Sequence, residues 1–131
     1  MREVSVRWAQ GKFAQDIQIS AHRLRADEEP ENGGDNTGPA PHEFLLAALG
    51  ACTAMTLRMY AERKGWPLRD AHVTVNGAGS DGRFVITRQI ALTGELDAEQ
   101  RQRLLEIAGK CPVHKTLAGE IEIVTIERTV S

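Results

Sequence analysis

The stretch "HEFLLAALGACTAMTLRMYAERKG", which begins at His42, constrains the fold more than any other. Leu, Ala and Met dominate it and Gly50 is its one interior helix breaker, which predicts a helix from Pro41 to Lys64 ended by Gly65. Pro39 and Pro41 suit its entry, because a proline in the first turn lacks only an N–H that would be unpaired anyway. Phe44, Leu45, Leu46, Leu49, Met55, Leu57, Met59 and Tyr60 spread around most of the circumference instead of forming one stripe. Such a helix is buried on more than one side. A chain of 131 residues makes one domain, which is too small to wrap a helix completely, so a second copy is expected to cover part of it.

Shorter elements flank this helix. "VSVRWAQGKFAQDIQI", Val4 to Ile19, alternates polar and apolar residues around a turn at Gly11-Lys12 and reads as two strands, with "HRLRAD" from His22 as a third. "EEPENGGDNTGPAP", Glu28 to Pro41, is a loop by its Gly, Pro, Asn and acidic content. Two strands follow, "AHVTVNGAG" from Ala71 and "GRFVITRQIALTG" from Gly82. In "LDAEQRQRLLEIAGK" Asp97 is the N-cap and Gln100, three residues on, completes a capping box, with Gly109 as the stop. "CPVHKTLAG" allows a turn or two of new helix, and "EIEIVTIERTV" alternates as a closing strand. Strands, helix, strands, helix, strand is an α+β order, read as a single domain over residues 1–131.

Composition removes several function classes. Sixteen basic and eighteen acidic residues are interspersed, for a formal charge of -2, so no basic stripe exists to neutralise phosphates or anionic lipid. Nucleic acid and membrane are not expected as partners. The opening "MREVSVRWAQGKF" lacks the apolar core of a signal peptide, and no run is expected to span a bilayer, which reads as a cytoplasmic protein. "GGDNTG" from Gly33 lacks the Lys-Ser/Thr of a phosphate loop, and Asp35-Asn36 supplies too few acids for calcium, so this segment reads as a flexible loop. Trp8 and Trp66 read as packing residues.

The chain has two cysteines, and a reducing compartment makes them core residues, metal ligands or working thiols before it makes them a permanent staple. Cys111 directly precedes Pro112. With the proline at the first position of a helical segment, Cys111 is the N-cap, and its sulfur faces unpaired N–H groups that favour a thiolate. Lys110 and His114 add positive charge nearby; the bland alternative is a small buried thiol before a helix-stopping proline. Cys52 lies inside the long helix among apolar neighbours, which raise a thiol's pKa, and by position alone reads as core and as the more buried of the two. Gly50, two residues earlier, permits close approach of another segment. Glu43, nine residues before Cys52, lies about 900° around the helix, roughly 180° from its azimuth, so the two do not share a face of one continuous helix. Glu43 also suits the first-turn position of an acid at the helix dipole. A zinc site from Cys52, Cys111, His114 and either His22 or His42 is chemically sound, but the cysteines lack the close spacing of such sites.

"GGDNTGPAPHEFLLAALGACTAMTLRMYAERKGWPL" followed by "RLLEIAGKCPVHKTL" resembles the OsmC/Ohr superfamily of osmotically inducible and organic hydroperoxide resistance proteins, nearer its OsmC-like branch. The resemblance runs over most of the chain, and its specific core is the proline-entered helix ending in the first cysteine together with the later Cys-Pro pair. It implies an intertwined homodimer of α+β subunits, with antiparallel sheets, a long buried central helix and active sites at the dimer interface. It further implies that Cys52 is the peroxidatic nucleophile, that Cys111 resolves it and that the family glutamate falls on Glu43. The arginine that pairs with this glutamate is expected in "HRLRAD", at Arg25 beside Arg23, since Arg58 lies about 240° around the helix from Cys52.

The function these features lead to is thiol-dependent reduction of organic hydroperoxides. Cys52 attacks the peroxide, its sulfenic acid condenses with Cys111 and an external dithiol, such as a lipoyl group, restores the thiols. Phe44, Met55 and Met59 are the expected apolar walls for the substrate. No metal or organic cofactor is called for. A protein of another class, binding a small lipid-like ligand at the same interface without catalysis, is the competing expectation.

Overall fold

The structure, a computed structural model, describes residues 1–130. Its chain divides into two compact units, Met1–Ala47 and the residues from Ala48 onward.

In the first unit β1 (Ser5–Trp8), β2 (Gln15–Ile19) and β3 (His22–Ala26) form an antiparallel sheet in sequence order. The hairpin between β1 and β2 closes through Ala9 N–H donating to Ala14 O at 2.8 Å. Gly11 sits at φ 93, a conformation that costs other residues, which is why the turn falls there. Register places Val6, Ile17 and Leu24 side by side on one face and Arg7, Asp16 and Arg25 on the other. The period-2 alternation read from the sequence is therefore real, although Val6, Trp8 and Leu24 stand largely exposed in the single chain. Trp8 is not a packing residue here.

The loop after β3 has more order than its composition suggests. Asp27, buried at 2% exposure, anchors it by accepting from Glu28 N–H at 2.7 Å, Thr37 N–H at 3.0 Å and the Thr37 hydroxyl at 2.6 Å. These bonds, the Thr37 hydroxyl foremost, hold the Asp27 carboxyl down at about 2 against the opposing effect of burial. A single 3₁₀ turn, Pro30–Asn32, sits inside the loop.

The long helix α1 spans Pro41–Lys64 without interruption, and Gly65 follows at φ 71 as its left-handed stop. This 24-residue helix is long and apolar enough to cross a membrane, which corrects the expectation that no such run exists. Of its 24 residues Leu49, Thr53, Leu57, Tyr60 and Ala61 are buried, so in the single chain the helix is buried along one side and not all round as expected.

The second unit is built on a single long hairpin, β4 (Leu68–Ser80) and β5 (Arg83–Gly94), longer than the two short strands expected. Asp81 and Gly82, both at positive φ, make its turn. Helix α2 (Ala98–Ala108) opens on the expected capping box, with Gln100 N–H donating to Asp97 Oδ1 at 2.7 Å and Asp97 N–H to Gln100 Oε1 at 3.0 Å. Leu57, Tyr60, Leu68, Leu96, Leu104 and Ile107 form the core between α1, the hairpin and α2. Arg101 ties α2 to the hairpin by donating to the carbonyls of Leu92, Gly94 and Leu96 at 3.1 to 3.2 Å. Trp66 packs edge-on against Tyr60 with ring centroids 5.5 Å apart.

Helix α3 (Pro112–Ala118) follows, and residues 120–130 then run without strand pairing. Among the described residues the expected closing strand is thus absent. Its residues alternate as a strand should, but no edge in this chain pairs with them, and Ile121, Ile123 and Ile126 are 57%, 84% and 82% exposed.

Candidate active site

The chemistry gathers where α1, β5 and the start of α3 meet in the second unit. Cys111 is the N-cap of α3, in extended backbone at φ -66 and ψ 142, with Pro112 at the first helical position. Its sulfur accepts from His114 N–H at 3.3 Å, the geometry expected of the Cys-Pro junction. Cys111 is 0% exposed, while Cys52 is only half-buried. This reverses the expected order of burial: Thr53 of α1 and the first turn of α3 meet at the Cys111 sulfur.

Thr53, also 0% exposed, lies 3.8 Å from the Cys111 sulfur through its Oγ1. Its hydroxyl donates to Leu49 O at 2.7 Å, one turn back in α1. The Cys52 side chain, next to Thr53 on α1, comes near enough to Cys111 to help hold that thiol down. Gly50 helps to make this possible: a Cβ there would already touch Val75 Cγ2 at 3.4 Å, and Val75 is the register partner of Arg88.

Arg88 is the residue that sequence reasoning missed. It donates from Nη1 to Thr53 Oγ1 at 3.0 Å and from Nη2 to His114 Nδ1 at 3.0 Å. A guanidinium has only donors, so His114 Nδ1 is an acceptor and the ring is neutral with its proton on Nε2. Among the described residues no carboxylate forms an ion pair with Arg88. The signal was present in the sequence. Ile86, Arg88, Ile90 and Leu92 are the half-buried, period-2 positions of β5, so parity alone puts one cation on an apolar face.

Burial pushes the Cys111 thiol up. His114 N–H, Cys52, the Thr53 hydroxyl and the Arg88 charge together outweigh it and hold the thiol below its ordinary value. A cavity of about 360 Å³ opens beside Arg88 and His114, walled by Leu49, Phe84, Ile86 and Leu117; neither cysteine is part of its lining. The walls are not Met55 and Met59, which point outward at 65% and 67% exposure.

The other expected residues have different surroundings. Arg25 is paired with Asp16 at 3.3 Å across β2 and β3 in the first unit. Glu43 accepts from Ala40 N–H at 2.7 Å in the first turn of α1, the capping role open to it from its position. Arg58 donates to Arg69 O at 3.1 Å. Among the described residues no group of three His, Cys, Asp or Glu side chains is arranged to hold a metal ion.

A site that brings two thiols together with an arginine invites comparison with known proteins. The model of the family described as OsmC-like protein matches residues 33–126. No curated protein matches. Among solved structures, the OsmC-like protein of Mycoplasma pneumoniae is 20% identical with a TM-score of 0.78, over 91% of this chain and 88% of that one. The organic hydroperoxide resistance protein OsmC of Legionella pneumophila is 17% identical with a TM-score of 0.71, over 91% and 90%. The organic hydroperoxide resistance protein OhrB of Bacillus subtilis is 23% identical with a TM-score of 0.59, over 91% of each chain. These likenesses carry the α+β fold of antiparallel sheets and a long helix, and with the family match over most of its length, the chain belongs to the OsmC-like protein family.

Proposed function

We propose that this protein is a thiol-dependent peroxidase that reduces organic hydroperoxides with Cys52 and Cys111. The observation that carries the reading is the pair of thiols brought to one site, Cys52 half-buried and close to Cys111, and Cys111 fully buried with His114 N–H donating to its sulfur. Family membership and the names of the solved relatives support a peroxidase-type role. Cys52 sulfur attacks the distal oxygen, the O–O bond breaks and the organic half leaves as an alcohol. The sulfenic acid on Cys52 is then attacked by Cys111 to form a disulfide with loss of water, and an external dithiol of lipoyl type restores both thiols by exchange. Arg88, at the cavity wall, supplies the positive charge that the developing alkoxide needs.

The active form on this reading is a homodimer. Exposed Leu45, Met55 and Met59 on α1, the open apolar face of the first sheet and the unpaired residues 120–130 are surfaces that a second copy would cover. A reducing cytoplasm suits a pair of thiols that must return to the reduced state.

The test is consumption of cumene hydroperoxide and hydrogen peroxide by pure protein with a dithiol, beside Cys52→Ser and Cys111→Ser. Turnover of the organic peroxide that disappears in Cys52→Ser is the expected result. Full turnover by Cys52→Ser refutes the assignment of the nucleophile. An inert wild type with ligand retained in the cavity would instead favour a binding protein. Light scattering that finds a monomer at micromolar concentration refutes the dimer.

A further inference from the structure

We infer that the polar face of the first sheet is a binding site for a small phosphate monoester, held by Arg7, Arg23 and Arg25. The inference stands apart from the peroxidase reading, because all of its residues belong to the first unit and none of them to the thiol site.

Strand register builds this face. Pairing of β1, β2 and β3 brings Arg7, Asp16 and Arg25 into one row across the sheet and Ser5, Gln18 and Arg23 into another. Register partners share a face, and the two rows are two residues apart along every strand, so all six side chains project to the same side. Val6, Ile17 and Leu24, in the row between, project to the other. Strand spacing puts the Arg7 and Arg25 Cα atoms about 10 Å apart, with Arg23 about 7 Å from Arg25 along β3. Long arginine stems cover such gaps. The six residues line a hollow of about 650 Å³.

Charge selects the ligand. Three guanidiniums face one carboxylate, a surplus of two positive charges within a chain whose formal charge is -2. Interspersed signs along the sequence concealed this, because strand pairing sorts them by face. Arg25 Nη2 is committed to Asp16 Oδ1 at 3.3 Å, whereas Arg7 and Arg23 make no ion pair or side-chain hydrogen bond among the described residues. Glu3, two residues before Ser5, is not part of the lining. A dianion matches the surplus, and a monoanion leaves one guanidinium unpaired.

Planar guanidinium forks bond oxyanions two oxygens at a time. A phosphate monoester is close to a dianion at neutral pH and presents three acceptor oxygens, enough for Arg7, Arg23 and the Ser5 hydroxyl. A phosphodiester carries a single charge per phosphate, which disfavours a nucleic acid backbone. Asp16 Oδ2, without a hydrogen-bond partner among the described residues, is placed to accept from a hydroxyl on the alcohol half of the ligand. The ligand class is therefore a phosphorylated polyol, such as a sugar phosphate or a nucleoside monophosphate.

The experiment is isothermal titration of the full chain at low and at physiological ionic strength. Adenosine monophosphate is the monoester probe, cyclic adenosine monophosphate the monoanion of the same nucleoside and adenosine the uncharged control. Saturable binding of one adenosine monophosphate per chain is expected, about tenfold tighter than the cyclic form, absent with adenosine and weakened by salt. Arg7 and Arg23 are exposed, so Arg7→Ser and Arg23→Ser should keep the melting curve while each weakens binding about tenfold; Arg23→Lys should recover part of the loss. No binding of adenosine monophosphate overturns the inference, as does binding that both serine variants retain in full. Equal affinity for the cyclic form overturns the match to a dianion. Capture on vesicles containing phosphatidic acid, with no binding of the soluble monoester, overturns it in favour of a membrane surface.

Discussion

Replacing Arg88 by Met keeps the unbranched stem that packs on the inner face of β5 and removes the charged fork. Two hydrogen bonds are lost, to Thr53 Oγ1 and His114 Nδ1, both at 3.0 Å. A bond from a charged donor contributes about 1.5–3 kcal/mol net. Desolvation of a half-buried guanidinium with no carboxylate partner opposes this, so the net loss of stability is about 1–3 kcal/mol. For a chain of this size that is a fall in Tm of roughly 3–12 °C, which leaves the variant folded at room temperature. Catalysis suffers more. Removal of a group aimed at a developing oxyanion typically costs about 10²–10³ in rate, so organic peroxide turnover should fall by about 10²-fold while KM changes less. Stopped-flow consumption of cumene hydroperoxide below the melting range measures it. Undiminished turnover in folded Arg88→Met would refute the placement of Arg88 at the reacting centre and return the role to Arg25.

Three further substitutions probe the frame around the site. Gly94 is at φ 146, and a Cβ there would run into Pro67 O, so Gly94→Ala should lower stability by about 2 kcal/mol or more in urea unfolding; an unchanged midpoint would contradict it. Leu104 is 0% exposed in the core of the second unit, and Leu104→Ala should cost about 2–5 kcal/mol in the same assay. Asp27 ionises at about 2 when folded and at 3.8 ordinarily, so its bonds to Thr37 and Glu28 contribute stability above pH 3.8 that is lost as pH falls toward 2. Asp27→Asn should therefore flatten the acid limb of a stability-against-pH curve, and an unaltered acid limb would show that other carboxylates set it.

Much of this protein follows from local rules that a chain obeys before it folds. The α1 helix from Pro41 to Lys64, the capping box at Asp97, the turns at Gly11 and Gly82 and the Cys111 N-cap each depend on residues within four positions of one another. The pair of cysteines was legible too, as were the strands of the first sheet. What could not be read locally was which groups stand around the thiols. Arg88 lies 36 residues from Cys52 and 23 from Cys111, and only the pairing of β4 with β5 beneath α1 brings it to Thr53. Its inward parity among Ile86, Ile90 and Leu92 was visible, but parity names a face and not a neighbour. The closing segment marks the opposite case. Residues 120–130 carry the alternation of a strand, yet a strand exists only when another edge accepts its hydrogen bonds, and no edge of a single chain does so here. Relative burial of the thiols was likewise decided by tertiary packing: apolar neighbours in sequence suggested Cys52 as the enclosed one, whereas it is Cys111, set against Thr53 of α1, that is fully buried. Sequence by itself determined the elements, their ends and the two sulfurs, because those depend on propensity and short-range sterics. Only the tertiary structure decided which sulfur is sheltered and which cation faces it, because charge and access are properties of space around an atom and not of position along a chain.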